Sequence, residues 1–182
     1  IEGITEFLPV SSTGHLQLAQ RWLKPQSELF DIVVQCGAVL AVLLVFQKRV
    51  RGLAQEWKSP ATRDYLAKLF VAFALTIVGV LAAEKLGVKV RKEDVAENAW
   101  AVRVALATLI GGVLFLVVEA WLRNKPGRSE ISWAAAIAVG VAQIIAATYS
   151  GSSRSGTTIL FALMLGIARP AATEFSFLLG VP

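Results

Sequence analysis

The stretch Ala99–Leu122, AWAVRVALATLIGGVLFLVVEAWL, carries only two ionisable residues, Arg103 and Glu119, one near each end. Coiled as a helix at 1.5 Å per residue, a run of this kind covers the roughly 30 Å of a bilayer's hydrocarbon core. Three other segments share the pattern. Residues 66–83 are apolar apart from Lys68, which lies near an end where it can snorkel. Residues 31–46 are apolar after Asp31 except for Gln35, and the run is somewhat short. Residues 131–149 are Ala-rich and hold Gly140 and Gln143. Small residues let helices approach closely, so this last segment is expected inside a bundle rather than against lipid.

Composition agrees. Of 182 residues, 55% are hydrophobic and 17% charged, against about 25% charged in a soluble domain. The formal charge of +5 sits in short Lys/Arg clusters between apolar runs, with no aromatic-interleaved basic patch. It therefore reads as membrane topology and excludes nucleic acid as a partner. Cys36, the single cysteine, lies in an apolar run, so no disulfide framework and no thiolate metal site is expected. The chain begins at Ile1 and ends in an apolar stretch, which suggests a fragment cut at both ends with a further span to follow. The fold class is all-α: a polytopic integral membrane protein built as a single membrane domain over 1–182.

Two segments break the spanning pattern. Residues 1–23 mix apolar positions with Glu2, Glu6, Ser11, Ser12, Thr13, Gly14 and His15, and residues 149–165 open on a run of Gly, Ser, Thr and Arg. Polar, broken helix at membrane depth is tolerated only where protein encloses it, so both are candidate re-entrant segments, at 1–25 and 149–168. They also echo each other. Gly3-x-x-Glu6 ahead of Ser11-Ser12-Thr13-Gly14 parallels Gly140-x-x-Gln143 ahead of Ser153-Arg154-Ser155-Gly156. Paired broken helices in corresponding halves mark inverted repeats around a shared site, here 1–122 and a second repeat starting at 131–182.

The connections set an expected orientation. Residues 48–63 hold Lys48, Arg49, Arg51, Lys58 and Arg63 against Glu56, and 123–130 hold Arg123, Lys125 and Arg128 against Glu130. The intervening connection, 84–97, balances its charges. The two basic connections are placed in the cytoplasm and the middle one outside. Followed along the helices, this carries both polar segments toward the outer face of the plasma membrane.

The polar segments hold the candidate chemistry. Glu2 and Glu6, four apart, share one helix face, where two carboxylates repel unless a cation lies between them. Hard oxygen donors of this kind suit a divalent metal, magnesium or calcium, which also binds phosphate. His15, the one histidine, follows Ser12 closely and can act as base to a Ser or water nucleophile. Residues 151–158 pack backbone amides, hydroxyls and the Arg154 guanidinium into eight positions, with a helix N-terminus expected at about Ser155. Those are phosphate-directed groups. A Ser-rich loop with a snorkelling Arg is the plainer alternative.

Glu2 to His15, EGITEFLPVSSTGH, resembles the first signature of the bacterial undecaprenyl-diphosphatase family, the bacitracin-resistance phosphatases. Residues 151–158 resemble its second signature, and 30–35 and 171–179 match further family stretches. Ser150 stands where the family usually has Pro. The resemblance implies inverted repeats with two re-entrant helix pairs, and removal of the terminal phosphate from undecaprenyl diphosphate, recycling the lipid carrier for cell-wall synthesis. It carries catalytic roles onto Glu2, Glu6, Ser12, His15 and Arg154, and phosphate binding onto Ser153, Arg154, Ser155, Gly156 and Thr158, with Glu2 and Glu6 on the metal. Ser12 with His15 as base, direct attack by His15, and attack by metal-bound water all remain open as the nucleophilic step. Expected partners are the polyprenyl diphosphate and bilayer lipid, with a homodimer allowed. The competing class is a transporter of the lipid phosphate.

Overall fold

The computed structural model describes residues 15, 28–87, 97–123, 125–149 and 151–180. Apart from His15, they form seven helices: α1 (Glu28–Val45), α2 (Gln47–Gln55), α3 (Pro60–Lys85), α4 (Glu97–Leu122), α5 (Trp133–Thr148), α6 (Arg154–Met164) and α7 (Arg169–Leu179). The described residues contain no strand beyond one isolated bridge, so the expectation of an all-α chain holds.

Four helices coincide with the four apolar runs, but their ends are set by caps rather than by hydropathy. α3 begins well before residue 66. Ser59 accepts a hydrogen bond from the Thr62 amide at 3.2 Å, and Pro60 occupies the first turn, where its missing N–H costs nothing. Ser132 caps α5 in the same way, accepting from the Ala135 amide. α2 occupies part of the basic connection 48–63, which the apolar-run reading takes for a loop. An amphipathic, charge-rich helix has no apolar run to reveal it.

α3 and α4 are the two helices long and apolar enough to cross a membrane. Only 6% of the apolar window of α3, and 11% of that of α4, is buried inside the protein. Phe70, Val78 and Leu116 are each at least 66% exposed. The core helix of a water-soluble protein would hide these side chains; hydrocarbon is the solvent that fits them.

The core lies between α3, α5 and the α6–α7 pair. α3 and α5 meet along small residues: Ala72, Ala135, Ala136 and Ala142 are fully buried. A Cβ on Gly140 would stand 3.0 Å from both Ala72 O and Leu75 Cδ2, so hydrogen is the side chain that this approach accommodates. Thr76 donates across the seam to Gln143 Oε1 at 2.6 Å, satisfying a polar group 6% exposed.

α6 and α7 form a hairpin of two helices of 11 residues each, roughly 16 Å long, about half a bilayer span. The connection after α4 holds its tip. The Arg128 amide donates to Gly166 O and the Ala168 amide to Arg128 O, both at 2.8 Å, while the Arg128 guanidinium donates to Leu165 O at 2.9 Å. Arg169 Nε donates to Glu119 at 3.0 Å, and this hydrogen bonding pushes the Arg169 pKa above its ordinary value. At the same end the two basic connections come together. A cavity of about 300 Å³ is lined by Arg49 and Glu56 from one, Ser129 and Glu130 from the other, and Glu174 from α7. Arg49 donates to Glu174 at 2.8 Å, tying α2 to α7.

The seam gives a stability prediction. Gly140→Val should cost about 1–3 kcal/mol by overpacking α3 against α5. Gly111→Ala, where no neighbour beyond the local helix backbone lies within 4 Å of the added carbon, should be neutral or stabilising. Thermal unfolding of the two variants in detergent checks the contrast.

Candidate functional site

Of the first polar segment, His15 alone lies among the described residues; it is helical and exposed. Glu2, Glu6 and Ser12 lie outside the described residues, as does Ser150. The second segment is described from Gly151 onward, and its geometry follows from the backbone.

After α5 the chain must reverse direction within a few residues. Gly151 does this at φ +96, a conformation that side chains with a Cβ rarely adopt. Its space is closed as well: a Cβ there would stand 2.7 Å from Val104 O and 2.9 Å from Val104 Cα on α4. Thr108 of α4 donates to Gly151 O at 3.0 Å. The turn is thus pressed onto a long apolar helix and latched there by one hydroxyl. Ser153 follows at φ 49, ψ 106, unusual for a residue with a side chain and of the kind that stores about 1–3 kcal/mol. Its hydroxyl accepts from the Gly156 amide at 3.2 Å, capping α6. The helix start expected near Ser155 therefore falls at Arg154, one residue earlier.

This cap orients the rest. A helix N-terminus turns its first N–H groups outward and carries about half a unit of positive charge. Arg154 occupies that first turn with an exposed side chain, and Ser155 lies partly exposed beside it. Gly156 is buried, so α6 closes against its neighbours at that point. Thr158 is fully buried. Its hydroxyl lies 2.8 Å from Arg154 O and 3.0 Å from Ser155 O, and it is hydrogen-bonded to Ser176 Oγ of α7. The structure therefore brings Ser153, Arg154 and Ser155 to the accessible mouth of the turn and places Thr158 one turn inside.

Three residues outside the sequence-derived set join the site. Thr108 holds the turn, Ser176 meets Thr158, and Gly180 underlies Arg154: a Cβ on Gly180 would stand 3.2 Å from Cζ and from Nη2 of that guanidinium. The stretch 171–179 stands out in the sequence by resemblance, but nothing in its spacing names Ser176, or Gly180 just beyond it, as neighbours of residues in the first turns of α6. Among the described residues no group of three His, Cys, Asp or Glu side chains could hold a metal ion.

Lipid-facing long helices around a small-residue core, with a polar turn and helix start set against them, define a helical membrane protein. The sequence model of the family described as "Bacitracin resistance protein BacA" matches residues 1–182. The chain is 46% identical over 183 residues to a Rhizobium etli protein named undecaprenyl-diphosphatase, covering 100% of this chain and 66% of that relative. A Xylella fastidiosa protein of the same name is 46% identical, with 100% and 67% covered. One from Xanthomonas euvesicatoria is 44% identical, with 100% and 66% covered. The chain belongs to the bacitracin-resistance BacA family, and it spans about two-thirds of the length of these relatives.

The turn predicts two separable effects. Gly151→Ala combines positive φ with a backbone clash and should cost at least about 1 kcal/mol, read as a lowered melting temperature. Ser153→Gly relieves the strained φ while removing the cap, so its melting temperature should stay close to that of the parent chain while any activity of the turn falls. A Gly151→Ala variant that melts like the parent would show that the turn is not held as described.

Proposed function

We propose that this chain is the larger part of a phosphatase that hydrolyses undecaprenyl diphosphate to undecaprenyl phosphate and inorganic phosphate, recycling the lipid carrier for peptidoglycan synthesis and so conferring bacitracin resistance. The observation that carries the reading is the family match along the whole chain, with Arg154 at the capped N-terminus of α6. A planar guanidinium beside outward N–H groups is complementary to the terminal phosphoryl group, whose negative charge is spread over three oxygens in the transition state.

In this reading Arg154, Ser153 and Ser155 clamp the terminal phosphoryl group. Ser12 attacks phosphorus, its proton passes to His15, and the bond to the bridging oxygen breaks, releasing the lipid monophosphate; water then frees the phosphate from Ser12. Direct attack by His15 or by water are the alternatives for the first step. Glu2 and Glu6 form a donor set of hard oxygens that suits magnesium or calcium, and such an ion would neutralise diphosphate charge. The short α6–α7 hairpin, half a bilayer long, supports a re-entrant pair, and by the internal echo residues 1–25 form its counterpart in an inverted repeat. The basic connections sharing one cavity support their lying on one side of the membrane, which their Lys and Arg content makes the cytoplasm, with the segment 151–158 directed to the periplasm or cell exterior of a bacterial plasma membrane.

The reading is tested on the purified full-length protein. It should release phosphate from undecaprenyl diphosphate, whereas a transporter of the lipid would move it across vesicles and release none. Arg154→Lys should lose at least about 10²-fold in turnover, the size seen when one preorganised charge-stabilising donor is removed. Chelation should abolish activity and magnesium or calcium restore it, with Glu2→Gln and Glu6→Gln each raising the metal concentration for half-maximal rate. Orientation is read separately in intact cells, from single cysteines at Ser27 and Ser129 in a Cys36→Ala background. An impermeant thiol reagent should label position 27 and spare position 129; the reverse pattern overturns it.

A further inference from the structure

Arg154 projects from the first turn of α6, and its guanidinium lies against Gly180, the residue that caps α7. A Cβ on Gly180 would stand 3.2 Å from Cζ and from Nη2 of Arg154, closer than side-chain carbons ordinarily approach. The Gly180 backbone is ordinary, at φ −87 and ψ −1, so its conformation does not call for glycine. What glycine supplies here is space. Gly180 also closes α7, its amide donating to Phe177 O at 3.0 Å. A guanidinium against that end meets the negative pole of the α7 dipole, which favours a cation.

The second contact lies one turn further along α6. Thr158 is fully buried and Ser176 is 6% exposed, and their hydroxyls are hydrogen-bonded to each other. A hydroxyl has one proton. With that of Thr158 directed to Arg154 O, Ser176 is the donor to Thr158. Thr158 thus links the backbone carbonyl of Arg154 to α7. Ser176 and Gly180 are four apart and so share one face of the α7 end, and that face meets Arg154 twice: at its carbonyl through Thr158, and at its guanidinium directly.

We propose that Ser176 and Gly180 are positioning residues for Arg154: Ser176 sets the distance between α6 and α7 through Thr158, and Gly180 provides the side-chain-free seat that holds the guanidinium facing the phosphate. Thr158 acts through Arg154 rather than on the substrate. This rests on the reading of Arg154 as the phosphate clamp. Substitution at Gly180 then displaces the guanidinium in proportion to the size of the added group. Weaker binding of the ground state would raise KM; a displaced transition-state donor lowers kcat.

The test measures phosphate release from undecaprenyl diphosphate by the full-length protein, as kcat and KM, together with melting temperature, for Gly180→Ala, Gly180→Val, Ser176→Ala, Ser176→Thr and Arg154→Ala. Gly180→Ala should lose a few-fold in kcat and Gly180→Val at least about tenfold, with KM and melting temperature close to the parent's, since a shift of about 1 Å in a catalytic group can cost 10²-fold. Ser176→Ala should lower kcat, and Ser176→Thr, which keeps the hydroxyl, should restore most of it. An inactive Arg154→Ala beside a fully active Gly180→Val overturns the positioning role alone. So does a loss of kcat confined to variants that melt early, with Gly180→Ala deciding should the Val variant prove unstable. A fully active Arg154→Ala instead overturns the clamp, and the seat with it.

Discussion

Hydrocarbon offers no hydrogen bonds, and almost every feature of this chain answers to that. A long helix can face lipid because its backbone groups pair internally; α3 and α4 do so with most of their apolar surface outside the protein. A turn such as 151–153, or a helix of 11 residues, has no such freedom and must be enclosed by other chain. Enclosure in turn requires close approach. The α3–α5 seam supplies it with alanines and with Gly140, and the hydroxyl of Thr76 and the amide of Gln143 satisfy each other inside it.

The α6–α7 hairpin shows how a short element is made rigid without length. Its tip is held by three hydrogen bonds involving Arg128 and by the Glu119–Arg169 ion pair. Its middle is held by the buried Thr158–Ser176 contact, and its far end closes Gly180 onto Arg154. The bonds at the tip are charged and lie at the end where the basic connections meet. At the far end the described contacts of α7 with the start of α6 come from small groups, Gly180 beside the Arg154 guanidinium and Ser176 on Thr158. Phosphoryl transfer asks the protein for little covalent chemistry and for well-held donors. A strained Ser153, locked by its own cap and by the turn pressed onto α4, is in keeping with that demand.

The apolar runs make α1, α3, α4 and α5 legible, because lipid-facing helices must be long and nearly uncharged. The break at 151–154 is legible for the converse reason: Gly, Ser and Arg there could not face hydrocarbon. Helix α2 is hidden, since Lys48, Arg49 and Arg51 resemble any cytoplasmic loop until Val50 and Leu53 are seen on the same helix. The start of α3 escapes a hydropathy reading because Ser59 and Pro60 decide it. Thr158 reads as one more phosphate-directed hydroxyl. In a string of Ser and Thr the side chain that turns inward is chosen by helix phase against a neighbour the string does not contain.

By itself the sequence determined that this chain is helical and lives in lipid, that two polar segments interrupt it, and which residue types those segments offer to a phosphate. These follow from composition and local periodicity, which each segment carries independently of the others. The tertiary structure alone decided that the turn at Gly151 lies on Val104, that Ser176 reaches Thr158, and that Gly180 lies beneath the Arg154 guanidinium. Such contacts depend on how close two helices come and at what rotation. Both are set by the sum of small side chains along a seam, so no single residue announces them.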